Sequence, residues 1–298
     1  MKEAQKLNVD IKIKHSIIDI KKSDEHFILT LATSEELRCD SLVIATGSHP
    51  QGHLFAKQFG HTIQEPVPSL FTFNVPSSPL KDLAGISVPN VEISIRNTSL
   101  IQQGPLLITH WGFSGPAALK LSAWGARLLH EKNYHVELCI KWITDYSQEQ
   151  AMEALIAWRK QHPSQNIDAH HPFSLPKNLW KRFLELCGIQ EKRRFSDVSN
   201  ETFKQIALRL TADIYSTEGK TTNKEEFVTC GGVALDEINF KTMESRLCHG
   251  LYFVGEILDV DGVTGGFNFQ NAWTGGWLAG NSALQHVFKK KNESTTPQ

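Results

Sequence analysis

Between residues 250 and 280 the sequence reads Gly250-Leu251-Tyr252-Phe253-Val254-Gly255-Glu256, then Asp259-Val260-Asp261-Gly262-Val263-Thr264-Gly265-Gly266-Phe267-Asn268, then an apolar helical segment from about Gln270. Leu251 to Val254 is short, apolar and rich in aromatic and β-branched residues, which predicts a strand buried on both faces. Gly255 lets the backbone approach a ligand closely, and Glu256 offers a carboxylate that can accept hydrogen bonds from sugar or ribityl hydroxyls. Gly262, Gly265 and Gly266 permit positive φ and expose backbone N–H groups, and the helix that follows turns its positive dipole end toward them. A strand, a glycine-rich turn and a helix start in that order form the arrangement that holds a dinucleotide at a helix N-terminus. A glycine-rich connection without a ligand has the same local pattern.

A second segment narrows the choice. Ser41-Leu42-Val43-Ile44-Ala45-Thr46-Gly47 is another apolar strand, and it ends in small residues. Small residues at a parallel strand end suit a nearby cofactor, although plain βα turns share the pattern.

Together with Thr109-His110-Trp111-Gly112-Phe113-Ser114-Gly115-Pro116 and Cys230-Gly231-Gly232-Val233, these two strand ends resemble the BaiN/RdsA-type family of NAD(P)/FAD-dependent oxidoreductases. That family is similar to glutathione-reductase-type FAD enzymes with an inserted domain, and it includes aminoacetone oxidase and bile-acid-pathway flavoproteins. The resemblance spans nearly the whole chain. It implies an α/β fold: an incomplete glutathione-reductase-type FAD-binding domain with an inserted β-barrel-like plus helical domain. The expected boundaries are residues 1–72 for the first part of the FAD-binding domain, 73–227 for the insertion with a helical lobe at about 147–212, and 228–298 for the second part. FAD is the implied cofactor, with NAD(P)H as a candidate electron donor. The implied cofactor contacts are Ile17, whose strand passes the adenine, then Ala45, Thr46, Gly47, Gly255, Glu256, Asp261, Gly262, Thr264, Gly265, Gly266, Phe267 and Asn268.

The family opens with a strand and a G-x-G-x-x-G turn around the FAD pyrophosphate, followed by an acidic residue for the ribose. This sequence contains no such fingerprint and starts with Met1-Lys2-Glu3-Ala4-Gln5-Lys6-Leu7, which resembles the end of a helix inside the family pattern. It therefore reads as N-terminally truncated. Two functional expectations follow. One is an FAD-dependent oxidoreductase that transfers a hydride between a small organic substrate and the flavin. The other is a truncated flavoprotein remnant without independent FAD binding, acting as an interaction protein or inactive. Loss of pyrophosphate hydrogen bonds, each worth about 1.5–3 kcal/mol to a charged group, weakens FAD binding by orders of magnitude in the second case. It also strips a parallel strand and exposes Leu42–Ala45 and Leu251–Val254.

No catalytic acid or base follows from the motifs. His110, ahead of a sharp turn, is the candidate catalytic residue, as a proton donor, a substrate ligand or a side chain that only bonds backbone. The chain has 298 residues, 40% hydrophobic and 21% charged, with a formal net charge of −1, so no basic footprint for nucleic acid is expected. Its five cysteines, Cys39, Cys139, Cys187, Cys230 and Cys248, have no C-x-x-C spacing and predict neither a zinc site nor a disulfide framework. Cys230 precedes Gly231-Gly232, which leaves a redox-active thiol open beside the commoner structural role. The neighbouring His170-His171 pair precedes a proline and is not expected to bind a metal. No apolar run reaches the roughly 18 residues needed to span a bilayer, and no signal-peptide core follows the charged first residues. A cytoplasmic protein with a small-molecule substrate and no nucleic-acid or membrane partner is expected; oligomeric state has no sequence signal.

Locally, Val9–Ile13, Ile17–Ile20 and Phe27–Leu31 alternate as antiparallel strands, and Pro66 and Pro68 mark a crossing between domains. Val91–Ile95, Leu106–Thr109 and Val136–Trp142 are strand-like, the last with its even-numbered side apolar. Ser114 is the expected cap of a helix with Pro116 in its first turn. Ser147 and Gln150 have capping-box spacing, Pro176 opens a second helix stopped by Gly188, and Ser199 starts a third.

Overall fold

The computed structural model describes residues 2–23, 26–219, 228–263 and 265–294, the last six of these through the backbone alone. The chain divides into two compact units. The first gathers three segments, 1–66, 231–260 and 266–298, and the second comprises 67–230 and 261–265. The chain crosses at Pro66/Val67, inside the proline-containing strand Ile63–Ser69, at Cys230/Gly231, inside the strand Val228–Val233, and again on either side of residues 261–265.

In the first unit, Ile17–Lys22, Phe27–Leu31 and Glu36–Cys39 form an antiparallel three-stranded sheet. Phe27, Leu29 and Leu31 are buried in alternation, as period-2 patterning requires. The expected strand at Val9–Ile13 does not form. Val9, Ile11 and Ile13 are exposed, and among the described residues no strand lies beside them to satisfy their backbone.

A four-stranded sheet follows the order Ile238–Asn239, Glu244–Ser245, Leu251–Phe253, Leu42–Ile44. Its last pair is parallel, with Leu42, Val43 and Ile44 opposite Leu251, Tyr252 and Phe253. Leu251, Tyr252 and Phe253 are all buried, so the prediction of a strand covered on both faces is right and the prediction of its exposure is not. Leu42–Ile44 is the edge strand, with Val43 exposed. The helix Pro50–Gln58 contributes Phe55 and Ala56 to the same core, and the long helix Phe267–Ser294 contributes Ala279. Gly275 of the long helix approaches Met243 and Val254, and a Cβ there would stand 3.4 Å from Met243 Cε, ordinary contact distance. The opposite stripe of this helix, with Phe269, Trp273 and Trp277, is exposed.

The second unit is built on six antiparallel strands in the order Asp213–Ser216, Glu137–Lys141, Ser87–Ile95, Ile101–Ile108, Gly112–Ser114, Phe73–Asn74. The strands form a curled sheet in which, among the described residues, the edge strand Phe73–Asn74 reaches the segment just past the other edge strand at Asn74. The Asn74 backbone carbonyl accepts from Glu218 N at 3.0 Å, and the Asn74 side-chain Nδ2 donates to the Glu218 carbonyl at 2.6 Å. Leu138, Ile140 and Trp142 are buried, the even-numbered face expected from the sequence. Against the sheet pack the helices Pro116–Trp124 and Asn200–Thr211, and Gln148–Gln161 and Lys177–Leu186 pack on Asn200–Thr211. The capping box at Ser147 and Gln150 is complete, and Ser199 caps the third helix by accepting from Thr202 N at 3.1 Å. Ser114 is not a cap. It ends a strand, its hydroxyl accepts from Thr72 Oγ1 at 3.0 Å, and Gly115 at φ +89° takes the cap position, where a Cβ would sit 2.9 Å from Leu107 N.

Asp213 anchors the join between sheet and helices. Its buried carboxylate accepts from Arg209 Nη1 at 2.8 Å, Trp142 Nε1 at 3.1 Å and the Tyr215 hydroxyl. Burial pushes its pKa up, opposed by the Tyr215, Arg209 and Trp142 contacts. Asp213→Ala leaves Trp142, Tyr215 and Arg209 without their shared acceptor. It is expected to lower unfolding free energy by roughly 3–5 kcal/mol, read as a fall in the denaturant midpoint at unchanged m-value.

Candidate functional site

The parallel pair sets the site. Leu42 N donates to the Gly250 carbonyl at 3.0 Å and Val254 N to the Ile44 carbonyl at 3.2 Å, so the two strands run in register and end together. Their next residues, Ala45-Thr46-Gly47 on one side and Gly255-Glu256 on the other, leave the sheet at its carboxyl edge, where open α/β sheets place ligands. A Cβ built on Gly47 would lie 4.0 Å from Glu256 Oε2, so the two expected segments are adjacent in space. Gly47 and Gly255 have φ of +61° and +77°, a region that favours glycine. A Cβ on Gly255 would meet only Ala272 of the long helix at 3.6 Å, so its constraint is backbone conformation rather than space.

That helix begins at Phe267, with Gln270 N bonded to the Gly266 carbonyl at 2.9 Å. Ala272 beside Gly255 therefore sets its first turns near the strand end, with Gly266, Phe267 and Asn268 at its start. The first N–H groups of a helix carry partial positive charge suited to phosphate or an electron-rich ring.

Two close backbone approaches hold the turns. Gly52, on the helix Pro50–Gln58, has no room for a side chain: a Cβ would stand 1.9 Å from Thr46 Oγ1 and 3.1 Å from Ile257 Cδ1. Gly232, at φ +141°, would place a Cβ 2.4 Å from the Ile257 carbonyl oxygen, and Val233 bridges Leu258 in parallel. Both strand-end turns are thus fixed from behind by glycines. Of these two, Gly232 belongs to the Cys230-Gly231-Gly232-Val233 segment conspicuous in the sequence, which is strand here, and Gly52 to no recognisable pattern.

His53 follows Gly52. It is buried, and its Nε2 has no hydrogen-bond partner among the described residues. Burial and then Lys57 pull its pKa below the ordinary histidine value, against a bond with the Ile257 backbone. A second buried imidazole, His61, packs edge-on against Phe253 at 4.8 Å between ring centroids. Its Nδ1 lies 2.9 Å from Glu237 Oε2 and its Nε2 2.7 Å from Ser245 Oγ. Burial outweighs the Glu237 carboxylate and lowers the His61 pKa too.

The remaining sequence candidates fall elsewhere. Ile17 begins the outer strand of the three-stranded sheet, opposite Leu31. Asp261, Gly262 and Gly265 group with the second unit, where the Asp261 carboxylate accepts from Ser69 Oγ at 2.9 Å. His110 is in the second unit as well, exposed on a turn in which Thr109 Oγ1 accepts from Trp111 N and Gly112 N. Thr264 lies outside the described residues. Cys230 is half-buried, on the strand Val228–Val233. No helix among the described residues is long and apolar enough to cross a membrane.

The model of the family described as HI0933-like protein Rossmann domain matches residues 1–282. Among curated proteins, the sequence is 32% identical over 294 residues to a ribosomal RNA dihydrouridine synthase of Escherichia coli (strain K12), covering 92% of this chain and 68% of that protein. It is 30% identical over 286 residues to the protein of the same name from Haemophilus influenzae, covering 91% and 68%. It is 26% identical over 276 residues to a 3-dehydro-bile acid delta(4,6)-reductase of Clostridium scindens, covering 89% and 67%.

Two outcomes test this geometry. Gly52→Ala drives a methyl group into Thr46 and is expected to cost roughly 1–3 kcal/mol or more, seen as a lowered Tm, whereas Gly276→Ala, also on a helix, has open space around its Cβ and serves as the control. The depressed His53 and His61 values mean that the unfolded chain binds more protons than the folded one between the folded pKa values and about 6.5. Their contribution is present above that ordinary value and is lost as pH falls through the depressed values. Urea midpoints are therefore expected to drop between pH 7.5 and 5.5, with a smaller drop in His61→Gln.

Proposed function

Because the chain belongs to the HI0933-like Rossmann-domain family, we propose that it acts as an FAD-dependent oxidoreductase that moves a hydride between the flavin and a carbon–carbon double bond conjugated to a carbonyl. The observation that carries this reading is the shared end of the parallel pair, where Gly47 faces the Glu256 carboxylate beside the start of the long helix. Ala45, Gly47 and Gly255 leave backbone bare at that edge, which suits a cofactor lying flat against it. Glu256 would accept hydrogen bonds from ribityl or ribose hydroxyls, and the N–H groups at Gly266, Phe267 and Asn268 would stabilise negative charge. Bound FAD supplies two-electron redox chemistry; the protein supplies orientation and water exclusion. NAD(P)H as the electron donor belongs to the same proposal, as do cofactor roles for Ile17, Asp261, Gly262, Thr264 and Gly265 and a proton-donor role for His110.

The substrate class comes from chemistry common to the relatives' names. Forming dihydrouridine saturates the uracil double bond conjugated to a ring carbonyl. A 3-oxo steroid with Δ4,6 unsaturation presents a conjugated double bond to the same kind of reduction. A small enone is the substrate that the net charge of −1 favours. A uridine within ribosomal RNA is the second reading, favoured by the identities of 32% and 30% to the two dihydrouridine synthases.

Purification of the 298-residue chain followed by a visible spectrum is the direct test. The expected result is flavin absorbance near one equivalent, or its recovery on adding FAD, with loss of at least tenfold in affinity in Glu256→Ala. A colourless chain that excess FAD does not reconstitute overturns the enzyme reading and leaves the interaction-protein alternative. With flavin bound, consumption of NAD(P)H in the presence of a steroid dienone or of unmodified ribosomal RNA separates the two substrates.

A further inference from the structure

We propose that Glu244, His249 and His286 form a binding site for a divalent first-row transition metal ion, zinc by preference, at the end of the buried strand opposite the candidate cofactor site. One ligand atom from each residue lies within 4.8 Å of the other two, and no other such group of three occurs among the described residues. The sequence pattern does not disclose it, since Glu244 and His249 flank a turn while His286 is on the long helix. The fold brings them together where the strand Leu251–Phe253 begins.

The donor set is borderline-soft: two imidazoles and one carboxylate, the three-ligand composition of open zinc sites. Glu244 and His249 already meet, with Oε1 2.6 Å from Nδ1. The His249 and His286 rings stand edge to face, with centroids 4.4 Å apart at 81°. A tetrahedral ion with bonds of about 2.0–2.2 Å needs ligand atoms about 3.3 Å apart. Glu244 Oε1 and His249 Nδ1, at 2.6 Å, stand closer than this and must part by less than an ångström, the separations of at most 4.8 Å must close by up to about 1.5 Å, and His249, whose side chain is 74% exposed, has room to turn.

The surroundings hold the ligands as a metal site requires. Glu244 Oε1 also accepts from Gly250 N at 2.8 Å, which orients the carboxylate. Gly250, at φ +80°, admits the helix: a Cβ there would stand 3.2 Å from His286 Nε2 and 3.3 Å from the Asp40 carbonyl oxygen. Lys22 ties down the turn through bonds to the His249 carbonyl and, at 3.7 Å, to Cys248 Sγ. Ser41 Oγ donates to the Ala283 carbonyl at 3.5 Å and sets the helix one turn before His286. Three protein ligands leave a fourth position for water or for a donor from another molecule.

The test uses tag-free full-length chain freed of metal with a chelator and titrated with zinc, then with cobalt, whose tetrahedral complexes absorb in the visible. The expected result is one ion per chain with micromolar or tighter affinity and a rise in Tm of about 3–8 °C at roughly a hundredfold excess over Kd. His249→Ala and His286→Ala are each expected to weaken binding at least tenfold. Glu244→Gln, which keeps the acceptor for Gly250, is expected to weaken it while leaving the metal-free Tm unchanged. Binding no tighter than millimolar, or binding of equal strength in the His249→Ala/His286→Ala double variant, overturns the proposal. Because no flavin is required, failure here is distinguishable from failure of the oxidoreductase reading.

Discussion

The parallel pairing of Leu42–Ile44 with Leu251–Phe253 is the constraint on which the first unit depends. It joins two distant parts of the chain over only three residue pairs, so backbone hydrogen bonds alone hold it weakly. Burial makes it secure: Leu251, Tyr252 and Phe253 are enclosed, with Phe55, Ala56 and Ala279 from two helices in the same core. Fully burying such side chains contributes about 1.5–3 kcal/mol each. The register decides the chemistry as well. A slip of one residue would turn each side chain to the opposite face and separate Gly47 from Glu256.

Glycine acts in this unit in two distinct ways. At Gly47, Gly255 and Gly250 it permits a left-handed backbone at the two ends of the strand pair. At Gly52 and Gly232 it permits contact, because a methyl group would collide with Thr46 or with the Ile257 carbonyl. The first kind shapes the surface a ligand would touch. The second kind keeps that surface in place from behind.

Features fixed by neighbours in the sequence were legible there. The capping box at Ser147, the Ser199 cap, the alternation of Leu138, Ile140 and Trp142, and the two apolar strands ending in small residues all depend on spacing within a few positions. What needed distant partners was not. Val9–Ile13 alternates as well as a strand does, yet no strand among the described residues pairs with it. Ser114 precedes a proline in the way a cap does, but Thr72 claims its hydroxyl and the tight approach of Leu107 demands glycine at 115. The tight seat of Gly52 against Thr46 and the meeting of His286 with Glu244 and His249 arise only from packing, and no local pattern encodes them.

The split first unit has a consequence for how the chain acquires its structure in time. Residues 67–230 are contiguous, so their sheet and helices can assemble while the polypeptide on either side is still unstructured. The parallel pair cannot close until about two hundred intervening residues have been gathered in, and the entropy of closing so long a loop falls when its middle is already compact. The strand ends at Gly47 and Gly255 are therefore among the last parts to take shape.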